Sequence, residues 1–399
     1  MMRWAIMAND ILMRYAPKSA AHDSCRSRTV VRSSFTPCSP VSKPLMPRIG
    51  RKWPELQGAR DWDGLLSPLD GALRGEIVRY GEFVRAAYAS FDFDGGAPYG
   101  SCRFPCCSLL RRAGLPETGY QVTRLLHAAS TSAPGWLSPC SSSYIGYVAV
   151  CDDEDEIKRL GRRDVVIAYR GTVTPGEWID NFKNNLTRLP TAAARSSEAG
   201  EEEEPMVKSG FWSLFTAPGE AHSSLQQQLR DEVQRIIREY GGKGMPPHSI
   251  TITGHSLGAA LAVLSAYEIR TAAAQQQRSD GDDDAAPMVT AVSFGGPRVG
   301  NAAFRRRLEE SGGKVLRIVN PNDIVTKVPG FPVEDDYCIH DADPVKLMAS
   351  VPGWLVSKMG WAYCDVGREL LLSSQDSVPN VVASHDLDLY IKLVAAGTD

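Results

Sequence analysis

The chain has 399 residues, of which 43% are hydrophobic and 23% are charged, and its formal net charge is -3. This composition indicates a globular protein that can bury a large core, and it excludes a global field that would attract nucleic acid or an anionic membrane surface. No uninterrupted apolar run reaches the roughly 18–20 residues that a bilayer span needs. The nine cysteines are irregularly spaced, which predicts reduced thiols rather than a disulfide framework or a zinc site.

Residues 1–50 are predicted to be a transit peptide. They are rich in arginine, serine and proline, and Asp10 and Asp23 are their only acidic residues. The long apolar region of a secretory signal is missing, and acid-poor, arginine- and serine-rich N-termini are typical of organelle import. The serine content favours a plastid, whereas the opening from Met1 to Tyr15 is compatible with a mitochondrial amphipathic helix. A tail without any address is the alternative.

Residues 51–145 are predicted to form a helical N-terminal region that packs on the core. Between Leu73 and Phe91, apolar side chains recur every three or four residues, which indicates one buried face of a helix. Residues 92–143 have mixed polarity and weak periodicity.

Residues 146–396 alternate apolar strands with helices. The predicted strands cover 147–150, 165–169, 249–253, 289–294 and 315–319, and the predicted helices cover 225–240, 257–270, 301–310 and 387–394. Strands that are apolar throughout are typical of a parallel sheet with both faces covered. The pattern therefore predicts an α/β domain with a mostly parallel central sheet and helices on both faces.

Gly254-His255-Ser256-Leu257-Gly258 matches the pattern G-x-S-x-G. With glycine and serine each near 7% of residues, a chain of this length matches by chance with odds of roughly 0.1 to 0.2. Here a predicted strand enters the motif and an Ala/Leu-rich helix leaves it, which is the geometry of a nucleophile elbow. Both glycines are expected where a Cβ would clash in the tight turn. The context predicts an α/β-hydrolase fold with Ser256 as the nucleophile, and an ordinary helix N-cap is the alternative.

In this architecture the acid and then the histidine follow the serine along the chain. Asp323 follows a predicted strand at its carboxyl end, where such sheets place functional groups. His340 and His385 are the only histidines after Ser256. His385 immediately precedes the last predicted helix, whereas His340 lies in an acidic, irregular stretch. The predicted catalytic residues are therefore Ser256, Asp323 and His385, and His255 is expected to pack beside its strand. A turn-capping aspartate and a surface histidine are the alternatives.

Several segments together resemble the class 3 lipases and, more closely, the plant chloroplast phospholipase A1 family of the anther-dehiscence type. Segments 53–58, 62–66 and 73–82 resemble the N-terminal signature of that family, and segments 169–172, 254–258, 293–300 and 320–323 resemble its hydrolase core. His385-Asp386-Leu387 with Tyr390 resembles its histidine motif. The resemblance covers about residues 53–395.

The resemblance implies the same three catalytic residues and adds an oxyanion hole. It implies Thr172 as one donor, through its backbone N–H and its hydroxyl. The backbone N–H of Leu257 is the second donor, which the elbow geometry suggests independently. Relatives carry a lid helix after Thr172. Here Trp178 and Phe182 would share one face of such a helix, and Asp180 is implied to hydrogen-bond Thr172. Packing of this segment on the core is the alternative.

The resemblance implies a serine carboxylic-ester hydrolase that cleaves membrane glycerolipids. It implies a phospholipase A1 acting at the sn-1 position, with galactolipase or triacylglycerol lipase activity as related options. It also implies a plastid location, release of fatty acids for jasmonate synthesis, peripheral contact with a membrane, and no metal or organic cofactor. The alternative of another class is a non-catalytic scaffold or receptor built on the same fold, against which the intact Ser-Asp-His set argues. The head group and the oligomeric state stay open.

Overall fold

A computed structural model describes ten ranges of the chain: 48–92, 100–129, 142–172, 185–190, 204–219, 221–241, 245–280, 287–328, 363–373 and 381–397. The residues of the predicted lid (Trp178, Asp180 and Phe182) lie outside these ranges, as do His340 and residues 1–47 of the predicted transit peptide. None of the helices within the described ranges is long and apolar enough to cross a membrane.

The described ranges contain nine strands and ten α-helices. The strands are β1 (Tyr120–Ala129), β2 (Ser142–Cys151), β3 (Arg163–Tyr169), β4 (Leu186–Arg188), β5 (Met206–Lys208), β6 (His248–His255), β7 (Met288–Phe294), β8 (Lys314–Val319) and β9 (Arg368–Leu371). The helices are α1 (Trp53–Leu56), α2 (Gly71–Ala89), α3 (Leu109–Arg112), α4 (Glu154–Leu160), α5 (Ser209–Thr216), α6 (Leu225–Tyr240), α7 (Leu257–Asp280), α8 (Ala302–Glu310), α9 (Val381–Ser384) and α10 (Leu387–Ala396).

Seven strands form one central sheet in the order β1-β2-β3-β6-β7-β8-β9. Strands β3, β6, β7, β8 and β9 pair in parallel, whereas β1 and β2 are antiparallel to their neighbours. Consecutive side chains of β3 enter two different apolar clusters: Val166 and Ala168 belong to one, and Val165 and Ile167 to the other. Helices α2 and α10 supply the first cluster, and α6 and α7 supply the second. The predicted mostly parallel sheet with helices on both faces is therefore confirmed.

The prediction of a helical region over residues 51–145 is wrong in its second half. Helix α2 is present, and the Asp70 carboxylate caps it by accepting from the backbone N–H groups of Ala72 and Leu73. However, β1 lies within this region and forms the edge of the central sheet. Its pairing with β2 shifts register twice, and such irregularities break the alternation by which a strand is recognised in a sequence.

A buried charged network joins α2 to the beginning of β3. Glu76 of α2 accepts from Arg79 at 2.8 Å and from Arg162 at 2.9 Å. Asp164 accepts from Arg79 at 3.2 Å and from the Tyr120 hydroxyl at 2.8 Å. Burial by itself raises the pKa of Glu76, but the two guanidiniums outweigh it and lower that pKa to about 2. The helix is thus fixed to the sheet by ionised groups that have almost no access to water.

Candidate active site

Ser256 occupies the sharp turn between the end of β6 and the start of α7. Its φ of 57° is rare for a residue other than glycine, and its N–H donates to the Phe294 carbonyl at 3.0 Å. A Cβ at Gly254 would overlap the Gly258 carbonyl, and a Cβ at Gly258 would overlap the Arg170 carbonyl. The structure therefore confirms the prediction that a Cβ at either glycine would clash with the backbone. Ser256 itself stays partly exposed, so a substrate can reach its hydroxyl.

Asp323 and His385 form a buried acid–base pair. His385 Nδ1 lies 2.7 Å from Asp323 Oδ2, and the two side chains are 3% and 0% exposed. Asp323 Oδ2 also accepts from the Tyr390 hydroxyl at 2.7 Å, while Oδ1 accepts from the Val325 N–H at 2.9 Å. With three donors around it and no exposed surface, the carboxylate is positioned to orient the imidazole.

Asn320 and Tyr390 hold the backbone around His385 by hydrogen bonds. The Asn320 side-chain amide donates to the Ser384 carbonyl at 3.0 Å, and its backbone N–H donates to the Tyr390 hydroxyl at 3.2 Å. Tyr390 therefore links the loop after β8 to helix α10. The sequence motif Asn320-Pro321-Asn322-Asp323 contains this anchor, but only Asp323 was predicted to have a role.

His385 lies beside the nucleophile turn, where its ring packs against that of His255, the residue before the serine. The His255 and His385 ring centroids lie 4.6 Å apart. Within the described ranges, no hydrogen bond joins the Ser256 hydroxyl to the His385 ring. Such bonds are often long in unliganded enzymes and tighten once substrate is bound. The structure thus places all three predicted catalytic residues at one site, with the acid–base pair already formed.

Thr172 and Leu257 lie on the two chain segments that meet at the serine. Leu257 is the first residue of α7, so its N–H has no acceptor within the helix. Thr172 is 5% exposed and follows the end of β3. Gly171, the residue before it, packs so closely that an added Cβ would lie 3.2 Å from the Ser256 Cβ. Both predicted oxyanion donors are therefore adjacent to the nucleophile.

Arg170 orients the peptide bond that carries the Thr172 N–H. Its guanidinium is fully buried and donates to the Gly171 carbonyl and to the Tyr144 carbonyl, both at 2.8 Å. In a trans peptide the N–H points away from the carbonyl oxygen. By holding the Gly171 carbonyl, Arg170 fixes the opposite direction for the Thr172 N–H. No role was predicted for Arg170 from the sequence. A charged residue directly after a buried strand is rare, however, and could have indicated a functional position.

His255 is a buried neutral histidine rather than a second base. Its Nε2 lies 2.8 Å from the His385 carbonyl oxygen, and its Nδ1 lies 2.8 Å from the Tyr88 hydroxyl. Burial, followed by the neighbouring His385, holds the pKa of His255 well below 6.5. Its predicted packing beside the strand is confirmed, and the ring also makes hydrogen bonds that the sequence did not indicate.

The half-buried His127 and the buried His255 predict that stability falls in mild acid. Burial, followed by the neighbouring His222, lowers the pKa of His127 to about 4, and the pKa of His255 is lowered as well. Below pH 6.5 the unfolded chain binds protons that the folded chain does not, so the free energy of unfolding should decrease from pH 6.5 towards 4. Urea unfolding at several pH values measures this slope. We expect a shallower slope in His127→Gln, and an identical slope would contradict the assignment.

No group of three or more His, Cys, Asp or Glu side chains suited to a metal ion is found in the described part of the chain.

Comparison with known proteins identifies the family. A family model described as Lipase (class 3) matches residues 166–333. Phospholipase A(1) DAD1, chloroplastic, from Arabidopsis thaliana is 48% identical over 373 residues, covering 89% of this chain and 79% of that protein. Phospholipase A1 EG1, chloroplastic/mitochondrial, from Oryza sativa subsp. indica is 40% identical, covering 86% and 74%. Galactolipase DONGLE, chloroplastic, from Arabidopsis thaliana is 39% identical, covering 87% and 70%.

The similarity to solved structures is lower. A lipase from Rhizopus microsporus var. chinensis is 19% identical, with a TM-score of 0.41, covering 66% of this chain and 71% of that chain. The fold is therefore assigned from the order and direction of the strands themselves. The relatives, by contrast, are similar over most of the length of both proteins, and the chain belongs to the class 3 lipase family, within its plant chloroplastic phospholipase A1 group.

Proposed function

We propose that the chain is a phospholipase A1 that hydrolyses the sn-1 acyl ester of a membrane glycerophospholipid, with Ser256, Asp323 and His385 as its catalytic triad. The observation that supports this most directly is the buried 2.7 Å contact between His385 and Asp323 beside a serine at positive φ. A serine hydroxyl is a weak nucleophile unless a base oriented by an acid lies within reach. That requirement explains why the three residues occur together.

Each residue has a distinct task in the proposed reaction. The Ser256 hydroxyl attacks the ester carbonyl while His385 accepts its proton, and Asp323 stays ionised and orients the ring. The oxygen that becomes negatively charged is bound by the N–H groups of Thr172 and Leu257, aided by the positive end of α7. Collapse of the intermediate releases a lysophospholipid, to which His385 returns the proton. Water then hydrolyses the acyl-serine by the same route.

Thr172 offers a test of the oxyanion hole. Thr172→Val removes the hydroxyl but keeps the backbone N–H and the shape of the side chain. Because losing one such donor weakens transition-state binding by roughly 2.7–4 kcal/mol, we expect a large fall in kcat with little change in KM. Thr172→Ser keeps the hydroxyl and should stay close to the wild type. Steady-state kinetics on a soluble ester measure both variants, and an unchanged kcat in Thr172→Val would leave only the N–H as a donor.

Head-group specificity is the finer part of the proposal. One relative is named a galactolipase and is 39% identical, which supports galactolipid hydrolysis as a second candidate activity. The purified chain would be incubated separately with phosphatidylcholine, monogalactosyldiacylglycerol and triacylglycerol, and the products identified by mass spectrometry. A higher kcat/KM on phosphatidylcholine with release of the sn-1 chain supports phospholipase A1. Preference for the galactolipid would establish the second activity instead.

The location and the membrane contact follow from different arguments. The relatives are named as chloroplastic, and one of them as chloroplastic/mitochondrial. The plastid prediction is thereby confirmed. Peripheral contact with the bilayer is proposed because the substrate is a membrane lipid. Cosedimentation with phosphatidylcholine vesicles tests it, and a chain that stays in the supernatant while hydrolysing the vesicles would contradict stable binding.

The alternative of a non-catalytic scaffold is tested by covalent labelling. A fluorophosphonate probe reacts with a serine only when its hydroxyl is activated. We expect labelling of the wild type at Ser256. A folded chain that does not react there would favour the scaffold.

A further inference from the structure

Tyr88 lies near the C-terminal end of α2 and reaches the proposed active site from the N-terminal region. It is only 2% exposed, and its hydroxyl lies 2.8 Å from His255 Nδ1. The other ring nitrogen of His255 lies 2.8 Å from the carbonyl oxygen of His385. A continuous chain of two hydrogen bonds therefore connects α2 to the backbone of the proposed base.

The direction of both hydrogen bonds can be derived from their chemistry. A carbonyl oxygen can only accept, so the hydrogen of the neutral His255 ring must be on Nε2. Burial keeps the ring neutral by lowering its pKa, which leaves Nδ1 with a lone pair. The Tyr88 hydroxyl must then donate to Nδ1. Tyr88 thus stabilises, as a donor, the tautomer of His255 that donates to the His385 carbonyl.

The same hydroxyl also touches the oxyanion side of the site. A Cβ added at Gly171 would overlap the Tyr88 hydroxyl, and it would lie 3.0 Å from the His255 carbonyl oxygen. Tyr88 therefore fills the narrow space between the end of β3, which carries Thr172, and the end of β6, which carries the serine. A movement of this hydroxyl would therefore shift the positions of both the base and the oxyanion donor.

We propose that Tyr88 and His255 are positioning residues for the ester hydrolysis, acting by holding the His385 backbone through a defined hydrogen-bond chain. The proposal rests on the proposed role of His385 as the base. Asp323 fixes the ring of His385, whereas Tyr88 and His255 fix the main chain to which that ring is attached. Tyr88 and His385 both lie outside the segment that the class 3 lipase model matches. The N-terminal helix therefore contributes to the geometry of the site as well as to the core.

Tyr88→Phe in the full chain tests the proposal, because it removes the hydroxyl and keeps the ring. Tyr147→Phe is the matched control: Tyr147 is also fully buried, and its hydroxyl donates to the Phe83 carbonyl of the same helix at 2.8 Å. Hydrolysis of p-nitrophenyl butyrate and the thermal midpoint would be measured for both. We expect kcat to fall about tenfold in Tyr88→Phe at unchanged KM, a change of about 1.4 kcal/mol. Tyr147→Phe should keep its kcat.

A second pair of variants separates positioning from packing. Glutamine at position 255 can place an N–H near the position of Nε2, whereas leucine cannot donate. We expect His255→Gln to retain clearly more of kcat than His255→Leu. Equal activity of the two variants would overturn the proposal, and so would a Tyr88→Phe enzyme that loses no more kcat than Tyr147→Phe.

Labelling of Ser256 keeps this test distinct from the test of the proposed function. If the wild type does not react with a fluorophosphonate at Ser256, the proposed triad is wrong, and the positioning proposal falls with it. If the wild type reacts and Tyr88→Phe reacts at the same rate, the triad stands and the positioning proposal alone is overturned. Slower labelling of Tyr88→Phe, with Tyr147→Phe unchanged, supports both.

Discussion

Replacing Ser256 or His385 by alanine is expected to reduce kcat by on the order of 10⁶, as is typical when a member of a catalytic triad is removed. The reason is that the hydroxyl and the imidazole act as one unit, so either loss leaves only binding and oxyanion stabilisation. The pair Ser256→Ala/His385→Ala should be no worse than either single variant. Initial rates on a soluble ester, with circular dichroism to verify folding, measure the effect.

His340→Ala provides the comparison for the base. His340 is the only other histidine after the serine, and its acidic, irregular stretch makes it the weaker candidate for the base. We expect this variant to keep most of the wild-type activity. An inactive His340→Ala beside an active His385→Ala would reverse the assignment of the base.

Asp164→Ala is expected to lower the free energy of unfolding by about 3–5 kcal/mol. Asp164 accepts from the hydroxyls of Tyr120, Ser249 and Thr251 as well as from Arg79. Its removal takes the acceptor from the Tyr120 and Ser249 hydroxyls and leaves Arg79 with Glu76 as its one carboxylate partner, and buried donors that lose an acceptor are costly. Urea denaturation monitored by tryptophan fluorescence measures the change.

Asp155→Ala is a control with the same chemistry in a different environment. Asp155 also pairs with a cation, Lys158, at 3.4 Å, but its side chain is 94% exposed. Exposed pairs contribute little, so this variant should unfold at nearly the wild-type urea concentration. Equal losses in Asp155→Ala and Asp164→Ala would show that the buried position of Asp164 confers no special cost.

The central strands could be predicted because burial on both faces leaves a continuous apolar sequence. Strand β3 follows this rule over residues 165–169, whereas β6 alternates isoleucine with buried threonine. Helix α6 has the predicted bounds because one of its faces is apolar over its whole length. Edge strands do not follow this rule. Strand β9 begins with the exposed Arg368 and Glu369, as is common where a sheet meets solvent, and nothing in its sequence distinguishes it from a loop.

The proposed site was predictable to the extent that its residues belong to local patterns. Ser256 lies in a strand–turn–helix motif, and Asp323 follows a strand end. The role of Tyr88 was not predictable, because in the sequence it is one more apolar position on the buried face of α2. Its hydroxyl acquires a role only through contact with His255, which lies 167 residues later. Arg170 is similar, since its acceptors Tyr144 and Gly171 meet only when the sheet forms.

The hydrogen-bond chain from Tyr88 through His255 to His385 has a consequence for how activity arises during folding. Its two bonds span 167 and 130 residues along the chain, and contacts of such separation form late, because they require the closure of long loops. A chain that has formed its sheet but has not docked both α2 and α10 would contain the serine without a positioned base. Hydrolytic activity therefore reports that both ends of the fold have assembled, and incompletely folded molecules should be harmless to the membranes around them.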